Sequence, residues 1–304
     1  MTSAAAPERI AADTHMDTVT LLVGNLENMS SYYEQALALE PLEESTASGS
    51  LRRVLGRGNV PMVRLIEQRD LPLANRRAAG LFHSAFLFDN EASLAATAYR
   101  AARDPRSLFA GASDHLVSEA FYFTDPEGNG IELYRDRPRA SWTIINGQTQ
   151  MDTLYLDPKA YLTRHLVEAD VDRAEVQPGV VGHVHLQVGD IARARDFYVN
   201  AIGFDVTFDQ ISSALFVSAG GYHHHMAMNT WNSQGAGPRA ASLGLGNVAI
   251  TVPTRADLDA AVSRLRARGA VAEDDGRSVT TRDPWGTEIT LGLPVESADE
   301  LLAA

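Results

Sequence analysis

The sequence contains an internal repeat that limits the folds open to this chain. Four segments share one order of elements: a strand rich in branched residues, an amphipathic helix, and then further strands. The four opening strands begin at Asp17, Leu81, Gly182 and Gly246. Their equivalent positions are spaced 65, 100 and 64 residues apart, so a longer connection lies in the middle of the chain. These spacings are measured between the equivalent residues of the four opening strands, Thr18, His83, His183 and Asn247.

This repeat predicts an α+β protein of four βαβββ modules, paired into two domains whose curved mixed sheets enclose a metal cavity. We expect a disordered lead over residues 1–13 and an N-terminal domain of two modules over 14–140. A linker is expected over 141–178, with a short helix from Asp157 to His165. A C-terminal domain of two modules completes the chain over 179–304.

Two shorter motifs recur in the predicted halves. Tyr32-Tyr33 is mirrored by Phe197-Tyr198, and the turn Asp125-Pro-Glu-Gly128 is mirrored by Asp283-Pro-Trp-Gly286. Asn25 and Asp190 precede the first and third predicted helices, where a short polar side chain favours the N-cap position. The repeat therefore extends beyond composition to individual side chains.

The charge and the residue content exclude several classes of partner and site. A formal net charge of −13 leaves no positive field to recruit nucleic acid or an anionic membrane. No apolar run reaches the length of a membrane span. The chain has no cysteine, which excludes disulfides, thiolate zinc sites and iron–sulfur clusters and is typical of a cytoplasmic protein. Any metal must be held by His, Asp or Glu.

Three residues form the candidate metal site. His83 and His183 occupy the same place in successive repeats, and Glu132 closes the second module inside the apolar strand Ile131-Glu-Leu133. A carboxylate there is costly to bury unless a cation meets it. Two imidazoles and one carboxylate make a facial triad that suits Fe(II) and leaves coordination positions open. A single histidine or glutamate on a strand more often has a structural role than a metal-binding one. Glu288 is a second candidate for the carboxylate ligand.

Other histidines and aromatic residues can support such a site. The run His223-His-His225 is predicted to lie within a strand, where alternation separates His224 from its two neighbours. His185 shares a face with His183 and is a candidate for the second coordination shell. Phe82, Phe121, Trp142 and Trp231 are candidates for the wall of an apolar cavity.

Several stretches carry a resemblance to a known family: Gly182 to Asp190, Ser213 to His225, and Gly111 to Glu132. Together they make the chain similar to the vicinal oxygen chelate superfamily and, within it, to two-domain bacterial catechol 2,3-dioxygenases. The resemblance implies His83, His183 and Glu132 as ligands of Fe(II), with Mn(II) as the alternative. It also implies His224 and His115 as acid/base residues and Tyr122 as a hydrogen-bonding partner of the substrate. His223 or His225 replaces His224 if the register shifts by one residue.

The outer modules depart from the family pattern. Thr18 and Asn247 stand where a histidine is expected, and Thr290 stands where the glutamate is expected. Neither outer module can complete a triad. We therefore expect the second and third modules to build the site together across the predicted domain boundary.

The resemblance implies an extradiol dioxygenase that cleaves a small aromatic diol with O₂ to a muconic semialdehyde, and a homo-oligomer. A glyoxalase-like isomerase or lyase is the first alternative. That class usually has four protein ligands, commonly with two carboxylates, but no acid lies between Phe216 and Trp231. The second alternative is a metal-free aromatic-binding or resistance protein, a class that loses the ligand positions.

Overall fold

The computed structural model describes residues 9–47, 49–171 and 178–294, and over these ranges each predicted module has the expected order of elements. The first two modules consist of β1 (His15–Val23), α1 (Leu26–Leu37), β2 (Glu40–Ala47), β3 (Ser50–Arg57), β4 (Val60–Glu67), β5 (Gly80–Phe88), α2 (Glu91–Arg103), β6 (Leu108–Asp114), β7 (Ser118–Thr124) and β8 (Gly130–Asp136).

The connection is not a bare loop. It contains a 3₁₀ turn (Arg139–Ser141), β9 (Ile144–Ile145), β10 (Gln148–Thr149), β11 (Leu154–Tyr155), α3 (Pro158–His165) and α4 (Glu168–Val171). The predicted helix over Asp157 to His165 is confirmed, with Asp157 as its N-cap.

The remaining two modules follow the same order. They consist of β12 (Gly179–Gln187), α5 (Ile191–Arg195) continuing as a π-helix (Asp196–Ile202), β13 (Asp205–Phe208), β14 (Ala214–Ser218), β15 (Met226–Asn229), β16 (Gly244–Thr251), α6 (Arg255–Ala267), β17 (Glu273–Asp274), β18 (Ser278–Arg282) and β19 (Glu288–Gly292).

Two large mixed sheets pair the modules in an order that differs from their order along the chain. The middle-module sheet, β11-β6-β7-β8-β5-β12-β15-β14-β13, joins modules 2 and 3. The outer-module sheet, β17-β18-β19-β16-β1-β4-β3-β2, joins modules 1 and 4. The α+β class and the four βαβββ modules are confirmed. Each sheet takes one module from either side of the linker, and the division into domains at residues 140 and 179 stays a prediction.

The same pairing scheme builds both sheets. Within every module the first and last strands are parallel, and the opening strands of partner modules meet antiparallel at the centre of each sheet. A residue of an opening strand therefore lies between a residue of its own closing strand and a residue of the partner module. This geometry brings three strands together at the middle of each sheet.

Local sequence explains where the helices begin. The side chains of Asn25 and Asp190 accept hydrogen bonds from backbone N–H groups three residues later, which confirms both predicted caps. Asn90 and Thr254 do the same for α2 and α6. The π-helix ends at Gly203, whose φ of 105° suits a residue without a Cβ.

The recurring tyrosine and aspartate motifs meet each other in the structure. The Tyr33 hydroxyl donates to Asp125 Oδ2 at 3.1 Å, and the Tyr198 hydroxyl donates to Asp283 Oδ2 at 3.0 Å. All four residues are buried. These bonds tie module 1 to module 2 and module 3 to module 4, so they link the two sheets.

The start of the described chain packs against the third module. The Ile10 N–H donates to the Gly203 carbonyl at 2.8 Å, and Arg9 forms an ion pair with Asp205. Residues 1–8 of the predicted lead lie outside the described residues, whereas residues 9–13 are part of the ordered fold. None of the helices in the described ranges has the length and apolar character needed to cross a bilayer.

We expect Tyr33→Phe to lower the free energy of unfolding by about 1–2 kcal/mol, because it removes a buried hydrogen bond to a carboxylate. Urea denaturation measures this change. Tyr155→Phe is the matched control, since Tyr155 is 82% exposed and should change stability by less than about 0.5 kcal/mol. Equal stability of the two variants would contradict a structural role for the Tyr33 bond.

Candidate metal centre

The three predicted ligands come together on adjacent strands at the centre of the middle-module sheet. His83 lies on β5, Glu132 on β8 and His183 on β12. Ala85 lies two residues after His83 on β5 and points to the same face of the sheet. Its cross-strand neighbours are Glu132 on β8 and His183 on β12. The small side chain of Ala85 leaves room for all three groups to converge.

The carboxylate is the meeting point of the two imidazoles. Glu132 Oε2 lies 2.9 Å from His83 Nε2 and 3.1 Å from His183 Nε2. One ligand atom from each residue lies within 4.8 Å of the other two. The exposed fractions are only 6% for His83, 3% for Glu132 and 1% for His183. The cluster is compact enough for one ion to contact all three side chains.

Protonation states at this cluster suit metal binding. Burial opposes ionisation of Glu132, but the imidazoles of His183 and His83 hold the pKa of its carboxyl well below the ordinary value. Burial lowers the pKa of His183 to about 4, so this imidazole is neutral at neutral pH. An ionised carboxylate and a neutral imidazole are the forms that ligate a metal.

An unsatisfied nitrogen shows that the three residues fit a cation. His83 Nε2 is buried, yet within the described ranges it finds no hydrogen-bond partner of acceptable geometry despite its short distance to Glu132. A buried polar atom without a partner is unfavourable. A metal ion held by the three side chains would accept this lone pair, and a nitrogen and oxygen donor set suits Fe(II) or Mn(II).

A cavity of about 700 Å³ opens beside the cluster, with His83 and Glu132 in its wall. Of the predicted wall residues, Phe82 and Trp231 line it, whereas Phe121 and Trp142 do not. Phe121 alternates with Tyr122 on β7 and packs against Tyr161 on the opposite face of the sheet. Trp142 follows the 3₁₀ turn, and its indole N–H donates to the Arg137 carbonyl at 2.9 Å.

His115 and Tyr122 face this cavity as a hydrogen-bonded pair. His115 Nε2 lies 2.7 Å from the Tyr122 hydroxyl, and His115 Nδ1 lies 2.7 Å from the Asp152 carbonyl oxygen. A carbonyl can only accept, so Nδ1 carries a proton, and in the neutral ring Nε2 accepts from Tyr122. Tyr122 is the cross-strand neighbour of Glu132, and burial beside that carboxylate raises its pKa well above the usual value.

The histidine run does not lie within a strand, and that prediction was wrong. Gly220 and Gly221 have φ values of 58° and 67° and turn the chain, and β15 begins only at Met226. Strand alternation therefore does not decide where the three rings point.

Each ring of the run has its own environment. His224 lines the cavity, and its ring centre lies 4.0 Å from that of His183. His223 Nε2 lies 2.9 Å from Asp136, and His225 Nδ1 accepts from the Ala219 N–H. His224 is thus the member of the run that faces the cavity, and burial lowers its pKa well below the usual value.

Of the two remaining candidates, His185 lies near the cluster and Glu288 does not. His185 lines the cavity beside His83, with ring centres 4.9 Å apart, and its Nε2 accepts from the Asn229 side chain. Glu288 lies in the outer-module sheet, where it pairs with Arg282 and accepts from Asn247. The second candidate carboxylate is therefore not part of the cluster.

Sequence reasoning missed two sets of residues in the cavity wall. Met151, Asp152 and Thr153 come from the linker, which we expected only to connect the halves. Phe208, Ile211 and Phe216 come from the third module. The alternation of β14 could have indicated Phe216, but no motif marks the linker residues.

Comparisons with known proteins agree with this geometry. The family model described as "Glyoxalase/Bleomycin resistance protein/Dioxygenase superfamily" matches residues 15–133 and 180–291. A catechol-2,3-dioxygenase of Bacillus subtilis (strain 168) is 33% identical over 286 residues, which covers 90% of this chain and 95% of that protein.

Solved structures share the fold at low sequence identity. A putative dioxygenase from Bacillus subtilis subsp. subtilis str. 168 matches with a TM-score of 0.63 and 12% identity, covering 96% of this chain and 89% of that one. Glyoxalase I from Zea mays matches with a TM-score of 0.57 and 16% identity, covering 92% of each chain. These likenesses support the fold alone.

We expect the chelator-treated protein to bind one equivalent of Fe(II) or Mn(II) under anaerobic conditions, as measured by calorimetric titration. Glu132→Gln keeps the side-chain shape but removes the charge, and it should weaken binding more than about a hundredfold, since even outer-shell partners contribute about 10- to 100-fold. His15→Ala removes an exposed histidine and is the control. Unchanged affinity in Glu132→Gln would exclude this cluster as the metal site.

Proposed function

The chain belongs to the glyoxalase/bleomycin resistance protein/dioxygenase superfamily, and on that premise we propose that it is an Fe(II)-dependent extradiol dioxygenase. In this proposal it opens the ring of a catechol with O₂ to give a muconic semialdehyde. The observation that carries the proposal is the buried cluster of two histidines and one glutamate beside a cavity with aromatic walls.

His83, Glu132 and His183 would hold the metal, with Mn(II) as the alternative to Fe(II). When bound, Fe(II) supplies Lewis-acid and redox chemistry, with open coordination positions for the vicinal oxygens of a catechol and for O₂. The protein ligands supply one negative charge from Glu132 and two neutral nitrogens. Burial keeps competing protons and bulk water away from these atoms.

The cavity provides a site for a flat apolar ring. Phe82, Phe216 and Trp231 surround the His185 ring, with centroid separations of 4.9–5.6 Å. Such walls exclude water and offer aromatic faces and edges to a substrate ring. They also strengthen every charge interaction in the site by lowering the local dielectric constant.

The Tyr122–His115 pair can take a proton from a substrate hydroxyl. Because Tyr122 donates to His115 Nε2, its oxygen keeps lone pairs free to accept a hydrogen bond from the substrate. As that substrate proton moves to Tyr122, the tyrosine proton moves to His115. The resulting imidazolium is stabilised by the Asp152 carbonyl at Nδ1.

His224 lies on another side of the cavity from this pair, against His183. Its lowered pKa means that it enters the reaction as a neutral base. In that form its ring can accept a proton from the substrate and return it to an oxygen atom as negative charge develops there. We assign general acid/base roles to His224 and His115, and substrate orientation to Tyr122.

A glyoxalase-like isomerase or lyase is less well supported by the ligand set. In module 2 the register pairs Ala85 with Glu132, and in module 3 the equivalent pair is His185 with Ala227. Ala227 thus stands where a second carboxylate would be expected, and an alanine side chain cannot ligate a metal. A metal-free binding protein is also disfavoured, since the middle modules keep all three ligand positions.

The same proposal includes a cytoplasmic role in the breakdown of aromatic compounds and assembly as a homo-oligomer. The catechol-2,3-dioxygenase relative supports the class of substrate, a small aromatic diol that reacts with O₂.

The experiment that tests the function is anaerobic loading with Fe(II), addition of catechol and then admission of O₂. We expect oxygen uptake and a coloured ring-fission product, both absent in His183→Ala. Loaded wild-type protein that consumes no oxygen with a panel of catechols would overturn the dioxygenase assignment. Full activity in His183→Ala would instead overturn the assignment of this ligand.

We expect Tyr122→Phe to reduce kcat by about 10²- to 10⁴-fold, the usual contribution of a positioned acid/base group, because it breaks the proton path from the substrate to His115. Steady-state oxygen uptake gives kcat, and Fe(II) content verifies that the metal site is intact. Tyr155→Phe, at an exposed linker position, should behave as wild type. A loss confined to KM would show that Tyr122 only binds substrate.

A further inference from the structure

The concave face of the outer-module sheet encloses a second cavity, of about 1540 Å³, that the proposed reaction does not use. It occupies the same place in its sheet as the metal cluster does in the other sheet, because both sheets have the same pairing scheme. Residues at equivalent register positions can therefore be compared directly.

The two sheets carry opposite charges at the equivalent central position of the closing strand. In module 2 the residue two positions after His83 is Ala85, which pairs with Glu132. In module 1 the residue two positions after Thr18 is Thr20, which pairs with Arg64. Arg64 thus stands at the position of the metal-binding carboxylate.

The partner strands complete the equivalence. Asn247 lies opposite Thr20 as His183 lies opposite Ala85. Where the middle-module sheet offers two imidazoles and a carboxylate, this sheet offers a hydroxyl, an amide and a guanidinium. The guanidinium has no acceptor and repels a cation, and its N–H donors match an anion.

Arg52 adds a second positive charge on the same face. The register pairs Val54 with Arg64 and Ile66 with Arg52, so the two arginines are diagonal neighbours on adjacent strands. In the part of the chain that the structure describes, neither forms an ion pair or a side-chain hydrogen bond, and Arg52 Nε is buried without a partner. Two neighbouring like charges without a counterion are unfavourable unless an anion joins them.

The acidic groups of this cavity are Asp17, Glu43, Asp275 and Glu288. One of them forms an ion pair, and two others accept hydrogen bonds from neutral hydroxyl groups. Glu288 pairs with Arg282, Asp275 accepts from Ser278, and Asp17 accepts from Thr251. Glu43 lies across the sheet from Val54 and forms no ion pair with either arginine. Five arginines line the cavity against these four acids, so its lining carries a net positive charge although the whole chain carries −13.

Apolar side chains neighbour the two arginines on the same face of the sheet. Val54 and Ile66 are their direct cross-strand neighbours, and Leu22 continues the row beyond Ile66. We propose that this cavity is a second binding site, for a small organic carboxylate with an apolar body. Arg64 binds the carboxylate, Arg52 reinforces the charge, and the branched side chains contact the body of the ligand.

The probe is 4-fluorobenzoate. It is titrated with the protein as purified, and its binding is measured by fluorine NMR. We expect saturable binding that weakens about tenfold or more in Arg64→Gln, the loss for one charge-assisted contact. Arg64→Lys should retain part of the affinity. Arg53→Gln is the matched control, because Arg53 is adjacent to Arg52 on β3 but pairs with Glu27 and Glu44 outside this cavity.

Further probes separate charge from apolar contact. Neutral 4-fluorobenzyl alcohol and small acetate should each bind at least about tenfold more weakly than 4-fluorobenzoate. His83→Ala should leave binding of 4-fluorobenzoate intact, which distinguishes this site from the metal cluster independently of any enzymatic activity. No saturable binding, or binding lost in His83→Ala and kept in Arg64→Gln, would overturn the proposal. Acetate or inorganic phosphate binding as tightly as the probe would overturn the ligand class.

Discussion

The structure depends on a carboxylate that is buried where few groups can neutralise it. Glu132 is 3% exposed and sits between strands whose other side chains are largely apolar. Its neighbours His83 and His183 approach the same oxygen, and burial keeps His183 neutral. A neutral imidazole cannot balance a buried negative charge, so a cation among the three side chains would stabilise the arrangement. The adjacent strands β8, β5 and β12 bring these groups together.

One backbone geometry supports opposite electrostatics in the two sheets. The parallel closing strand of each module and the antiparallel centre recur in both, so the same register position is occupied by Glu132 in one sheet and by Arg64 in the other. Neither residue alters the strands that carry it. In our proposals, side chains at the centre of the sheet determine which charge the concave face accepts, while the branched residues of the opposite face maintain the core.

Most of the fold could be predicted because its information is local. Module order, helix caps and the alternation of apolar residues are encoded within about 60 residues, and the triad followed from repeat positions. The histidine run was wrongly predicted to lie within a strand, because two glycines in left-handed conformations turn the chain before His223. Which modules share a sheet is not local. The pairing of β1 with β16 joins residues more than 200 positions apart, and no short motif specifies it.

The linker shows why part of the site was beyond sequence reasoning. Leu154 and Tyr155 form β11, which pairs with Asp114 and Ser113 at the end of β6. That pairing holds the Asp152 carbonyl against His115 Nδ1 and so determines which nitrogen of the ring faces Tyr122 as an acceptor. A backbone carbonyl carries no sequence signature, because every residue has one. The segment that joins the two halves therefore also fixes the tautomer of a histidine in the cavity. The order of the linker and the proposed proton path depend on the same strand pairing.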